Sequence, residues 1–122
     1  MNGNSYLADT NCFIYLLDEH PLLEPFTESK WAYSYITHLE LLSKKALTTK
    51  QDTLIRQVLS ACQLVNHNSE IGEIAIRLRR KYGVKLPDAV IAASAMYMEF
   101  PILTADKGLS AIKELDIVLI EL

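Results

Sequence analysis

Glycine and proline are scarce, four of each in 122 residues, and no polar tract or repeated period interrupts the chain. That scarcity excludes long linkers, disordered tails and solenoid arrays, and it predicts a chain structured throughout. Cysteine is scarcer still. Cys12 and Cys62 sit among apolar neighbours, which predicts reduced core residues rather than a disulfide framework. Together with three scattered histidines, His20, His38 and His67, they offer no spacing that suits a zinc site. No apolar run reaches the roughly 20 residues needed to span a bilayer; a long one, Ala89 to Met98, already contains Ser94. No membrane span is expected. The stretch Met1 to Ser5 has no basic residue, and the short apolar run after it meets Asp9 too early for a signal peptide, so a cytoplasmic location is expected. Positive charge is not in excess either. A net charge of −3 excludes a protein that coats nucleic acid through many lysine and arginine contacts. It leaves room for a nuclease, because a divalent cation held among carboxylates attracts phosphate locally.

What the chain does have is apolar content, 50% of its residues, enough for one domain spanning 1–122 to bury a core without staples. Ser5-Tyr6-Leu7-Ala8 is a short apolar run ending at Asp9, which predicts a strand, and Thr10-Asn11 opens a helical stretch from Cys12 to Leu17. Pro21 and Pro25 break that helix around a short helical piece at Leu22 to Phe26. Trp31 to Ile36 predicts a second strand, with its alternating aromatics Trp31, Tyr33 and Tyr35 on a core face. Thr37 predicts the N-cap of a helix over His38 to Leu47.

Leu54, Ile55, Val58 and Leu59 mark one buried stripe on a helix from about Lys50 to Ser60. Ala61 to Val65 predicts a strand or extended connection, and Asn66 to Ser69 a turn and cap. The next helix ends at Gly83, and Pro87 opens another that runs to about Glu99. Pro101 to Thr104 predicts a strand, Asp106 to Leu115 a last helix, and Ile117 to Ile120 a buried strand. Strands and helices alternate, which predicts an α/β fold: a parallel central sheet of four or five short strands with helices on both faces.

In such a sheet ligands bind beyond the carboxyl ends of the strands. Asp9 directly follows the first strand, Asp106 follows Thr104 after one alanine, and Glu40 lies one helical turn beyond the second strand. Asp88 opens a helix. Each acid taken alone also suits a helix cap, and Thr37-x-x-Glu40 suits a capping box. Taken together, carboxylates gathered at one sheet edge repel one another and call for a cation. Magnesium and manganese prefer such oxygen ligands, retain waters and bind phosphate. Phosphodiester hydrolysis is the chemistry this predicts. No G-x-S-x-G elbow, Walker loop or G-x-G-x-x-G loop competes with it.

The four blocks Leu7-Ala8-Asp9-Thr10-Asn11, Ile36-Thr37-x-x-Glu40-Leu41, Leu86-Pro87-Asp88-Ala89-Val90-Ile91-Ala92-Ala93 and Leu103-Thr104-Ala105-Asp106 together resemble the PIN-domain nucleases, especially the small VapC-type toxins of prokaryotic toxin–antitoxin pairs. The resemblance covers nearly the whole chain and implies a PIN-like fold. By it, Asp9, Glu40, Asp88 and Asp106 are expected to be catalytic and to hold Mg2+ or Mn2+, with Asn11 and Thr104 as supporting polar neighbours. It further implies a metal-dependent endoribonuclease acting on tRNA or rRNA, a cognate antitoxin and a homodimer.

Arg77, Arg80, Lys81, Lys85 and Lys107 are candidates for RNA-backbone contacts; solvation of a helix end and its dipole explains the same cluster. Lys44, Lys45 and Lys50 read as a solvated helix end. Two other functions stay open at this point. One is a catalytically silent module that binds RNA or a partner. The other is a phosphatase or receiver-like domain in which Asp9 accepts a phosphoryl group, although Asn11 stands where haloacid-dehalogenase phosphatases carry a second aspartate.

Overall fold

The computed structural model describes residues 5–121, so the reading of Met1 to Asn4 falls outside the described residues. Five strands, β1 (Ser5–Ala8), β2 (Lys30–Ser34), β3 (Gln63–Val65), β4 (Ile102–Thr104) and β5 (Ile117–Leu119), form one sheet in the order β3-β2-β1-β4-β5. Every pairing is parallel. The helices are α1 (Thr10–Leu17), α2 (Tyr35–Leu42), α3 (Thr49–Ser60), α4 (Ser69–Tyr82) and α5 (Leu86–Met98), with 3-10 helices at Pro21–Phe26 and Lys107–Ala111.

Successive side chains of a strand point to opposite faces, and this alternation builds two cores on one sheet. Leu7, Ala32 and Ile102 pack with α4, α5 and the second 3-10 helix. Ala8, Trp31, Tyr33 and Leu103 pack with α1, α2, α3 and the first 3-10 helix. Helices therefore cover both faces, as expected. In the second core Phe13 is fully buried, and Trp31 and Tyr33 meet its ring edge-on, at centroid distances of 5.2 and 5.8 Å. The alanines of α5, Ala89, Ala92, Ala93 and Ala95, are buried and let that helix lie close to its neighbours.

The strand order positions the site. The chain leaves β1 toward β2 on one side and returns through α4 and α5 to lay β4 on the other. Such a reversal opens a crevice at the carboxyl ends of the two central strands. Register brings Ala8 level with Leu103, and the Asp9 N–H donates to the Leu103 carbonyl at 3.1 Å. Asp9 and Thr104 are thus side by side.

Three elements differ from the sequence reading. Helix α2 begins at Tyr35, capped by Ser34, whose hydroxyl accepts from the Ile36 N–H at 3.2 Å, and it ends at Leu42 rather than Leu47. The cause is pairing: β2 has partners in β3 only as far as Ser34 opposite Val65, so Tyr35 and Ile36 join the helix and Tyr35 is exposed. The helix expected over Asp106 to Leu115 is a five-residue 3-10 turn. Its N–H groups bond three residues back, Leu109 to the Asp106 carbonyl at 3.2 Å and Ile112 to the Leu109 carbonyl at 3.1 Å. Strand β5 is half-buried because it lies at the sheet edge. Smaller shifts are that Leu86 precedes Pro87 in α5 and that Thr48 and Gln51 form a capping box on α3.

Candidate active site

Asp9 directly follows β1 and caps α1. One carboxylate oxygen accepts from the Cys12 N–H at 3.0 Å, and the other accepts from the Thr104 hydroxyl. Thr104 is itself fully buried, and its oxygen accepts from the Asp106 N–H at 2.9 Å. One hydroxyl at the end of β4 thereby joins the two acids that follow the central strands. Asp106 caps the 3-10 helix through the Gly108 N–H at 2.8 Å.

Glu40 lies in the second turn of α2, not in a capping box. It accepts from the Thr10 hydroxyl at 2.6 Å, and the Thr10 oxygen lies 2.9 Å from that of buried Thr37. Asp88 sits in the first turn of α5, a helix whose N-cap, Lys85, makes no side-chain cap. Four segments far apart in sequence thus bring their acids to one pocket of about 420 Å³, lined by Asp9, Glu40, Asp88 and Asp106 together with Thr10, Asn11, Ser43, Lys44 and Ile91.

The electrostatics follow from that gathering. Burial pushes the Asp9 carboxyl above its usual range, hydrogen bonds from Thr104 and Cys12 pull it back, and Asp106 pushes it up further. Asp88 is raised first by burial and then by Asp106; Lys85 opposes this, while Asp9 and Glu40 add to it. Each of the other three acids is therefore near enough to disfavour ionisation of Asp88. Among the described residues no three His, Cys, Asp or Glu side chains are drawn tightly enough together to ligate one ion as they stand. The donor set is nonetheless all oxygen and mutually repulsive, and it lines an open pocket with room for water. It fits a hard divalent cation that keeps part of its hydration, and it does not fit zinc.

Asn11 is exposed at the rim of the pocket, and Thr104 lies beneath it. The basic candidates are dispersed. Arg77 and Lys81 engage Glu114 at 3.0 and 3.5 Å, and with Arg80 they line a separate depression of about 570 Å³ on α4. Lys85 acts on Asp88, and Lys107 is exposed just after Asp106. The cation that lines the acidic pocket is Lys44, which the sequence reading treated as a solvated helix end. It lies two residues past the end of α2, where the chain turns back over the pocket, and nothing in its local sequence marks that place. Thr10 was likewise missed as the partner of Glu40, and Thr37 as the partner of Thr10. Both cysteines are free; burial pushes the Cys12 thiol far up, and its Sγ donates to the Leu103 carbonyl at 3.2 Å.

The sequence profile of the PIN domain matches residues 6–115. Comparison with curated proteins gives no match. Among solved structures, a chain of a toxin–antitoxin complex from Klebsiella pneumoniae is 29% identical with a TM-score of 0.83, the match covering 95% of this chain and 98% of that one. A chain of VapBC-1 from nontypeable Haemophilus influenzae is 21% identical with a TM-score of 0.79, covering 94% and 97%. A chain of DNA-bound VapBC from Salmonella typhimurium is 17% identical with a TM-score of 0.80, again covering 94% and 97%.

Proposed function

The chain belongs to the PIN-domain family, and from that premise we propose that it is a metal-dependent endoribonuclease, the toxin of a toxin–antitoxin pair, carried by a single domain. The observation that supports this most is the convergence of Asp9, Glu40, Asp88 and Asp106 on one pocket at the strand-order reversal, each of the other three raising the pKa of Asp88. In this reading the four carboxylates hold Mg2+ or Mn2+. Bound there, such an ion supplies Lewis-acid stabilisation to the scissile phosphate and an activated water.

The chain's own residues do the rest. Thr104 holds one oxygen of Asp9 and the Cys12 amide holds the other, so the carboxylate keeps a fixed orientation. Lys44 meets the RNA phosphate at the mouth of the pocket, and Asn11 lines the approach. Membership of the PIN-domain family, and Asn11 standing where haloacid-dehalogenase phosphatases carry a second aspartate, disfavour a phosphatase in which Asp9 attacks phosphorus.

An apolar groove of about 410 Å³ between α1, α2 and α3 adjoins the acidic pocket, and Lys44 lines both. Ile14, Leu17, Leu41 and Leu54 give it the character of a seat for an amphipathic helix. We assign it to the cognate antitoxin, a reading supported by the toxin–antitoxin complexes among the similar structures. We keep the homodimer expected from the family resemblance, to which Ile76, Leu86 and Tyr97, exposed on α4 and α5, are available. No helix among the described residues is long and apolar enough to cross a membrane, and the proposed RNA substrates, tRNA or rRNA, belong to the cytoplasm.

The test is cleavage of labelled tRNA and rRNA fragments by the purified protein, freed of any partner, in Mg2+ or Mn2+. Cleavage is expected with either metal and is expected to vanish with chelator and in Asp9→Asn. Folded protein that binds Mn2+ yet leaves all these RNAs intact would favour a silent binding module, and release of phosphate from small esters would favour the phosphatase.

A further inference from the structure

Thr37 is fully buried in the first turn of α2 and does not line the acidic pocket. A threonine inside a helix commonly returns its hydroxyl proton to a carbonyl one turn back. Thr37 instead reaches across to α1, where its oxygen lies 2.9 Å from that of Thr10. The Thr10 oxygen in turn lies 2.6 Å from Oε1 of Glu40.

Proton counting sets the direction of this chain. Each hydroxyl has one proton, and an ionised carboxylate can only accept. The Thr10 proton therefore goes to Glu40, and the proton between the two hydroxyls comes from Thr37. Donation runs Thr37 to Thr10 to Glu40. Both ends of the chain belong to α2, while its middle is the first residue of α1, directly after Asp9. It thus ties the position of Glu40 to that of Asp9. It also occupies Oε1, leaving Oε2 as the Glu40 oxygen without a protein donor among the described residues.

We propose that Thr37 and Thr10 are positioning residues that set the cation affinity of the acidic pocket by orienting Glu40, Thr37 acting from outside the pocket through Thr10. The inference rests on the metal-binding role proposed for Glu40. A Thr37 that only fills space in the core has no such effect, and a side chain of equal shape without the hydroxyl separates the two.

Mn2+ binding to the full chain, followed by electron paramagnetic resonance titration beside thermal melts, tests this on wild type, Thr37→Val, Thr37→Ser, Thr10→Val, Thr10→Ser and Glu40→Gln. Loss of partners around metal ligands weakens affinity about 10–100-fold. Thr10→Val is expected within that range and Thr37→Val near its lower end, while both serine variants stay close to wild type. If Thr37→Val and Thr10→Val bind Mn2+ like wild type while Glu40→Gln is weakened, the inference falls and the metal-binding role stands. If wild type binds no Mn2+, or Glu40→Gln binds as tightly as wild type, both fall. Should Thr37→Val not fold, the Thr10 pair at its half-buried site decides by the same comparison.

Discussion

At Asp88, folding and function pull in opposite directions. Burial and the neighbouring acids raise its pKa, so the charged form is disfavoured in the metal-free fold. A carboxyl raised on folding lowers stability at pH values above its folded pKa, and that penalty disappears once pH falls below its unfolded value. Asp88→Asn is therefore expected to raise the melting temperature of the metal-free protein at pH 7, with the gain shrinking to nothing as pH falls below about 4. RNA cleavage by the same variant is expected to fall more than about 100-fold, beyond the loss typical of a residue that only supports a ligand. Melts with chelator across pH, alongside single-turnover cleavage, check both; an unchanged melting temperature at pH 7 would contradict the repulsion. That Asp9, Asp88 and Asp106 share a pocket was suggested in the sequence by their places at strand ends or a helix start, whereas Glu40, in the second turn of α2, was singled out only by the family resemblance and its place one turn past β2. The hydroxyl partners were not legible there: Thr37 in the sequence looks like a cap, and only the pairing of β2 with β3 shows that Ser34 takes that place.

Among the elements, α4 is tied to the segment before β5 chiefly through Glu114, with the Lys113 N–H also donating to the Tyr82 hydroxyl at 3.3 Å. Glu114 accepts from the Tyr82 hydroxyl and pairs with Arg77 and Lys81. These contacts, the Tyr82 hydrogen bond foremost, hold its carboxyl down to about 2. A depressed carboxyl contributes stability above its unfolded pKa and loses it as pH falls through the folded one. Glu114→Gln is thus expected to melt below wild type at pH 7, with the two curves converging between about pH 4.3 and pH 2. Parallel melts over that range that never converge would show that the charge is not what joins the two elements. The same contacts give part of the basic cluster on α4 a structural role beside the RNA contacts expected of it. Arg77 and Lys81 are partly committed to Glu114, a partner 37 and 33 residues away in sequence.

For the molecule as a whole, two cores share one sheet, and the aromatic cluster of Phe13, Trp31 and Tyr33 anchors the face that carries α1. Phe13 is fully buried one turn beyond Asp9. Phe13→Ala removes a large side chain from a packed core and is expected to lower unfolding free energy by about 3–5 kcal/mol. Urea denaturation checks this: the midpoint should fall with little change in slope, and a loss under about 1 kcal/mol would mean that the cavity collapses.

The sequence by itself determined the alternation of strand and helix and the parallel sheet covered on both faces, and it offered four acids as candidates, because apolar periodicity and the residues at strand ends are local signals. Helix limits resisted that reading where two signals competed, as at Ser34 and Thr37, or where bonding three residues back at Leu109 and Ile112 made a 3-10 turn within an apparently helical stretch. Only the tertiary structure decided that β4 lies beside β1 and so brings Asp106 to Asp9. It alone joined Thr37 to Glu40 through Thr10 and set Lys44, rather than the arginines of α4, at the acidic pocket. Strand order and contacts across helices depend on how distant segments share a buried surface, and no local pattern of residues encodes that choice.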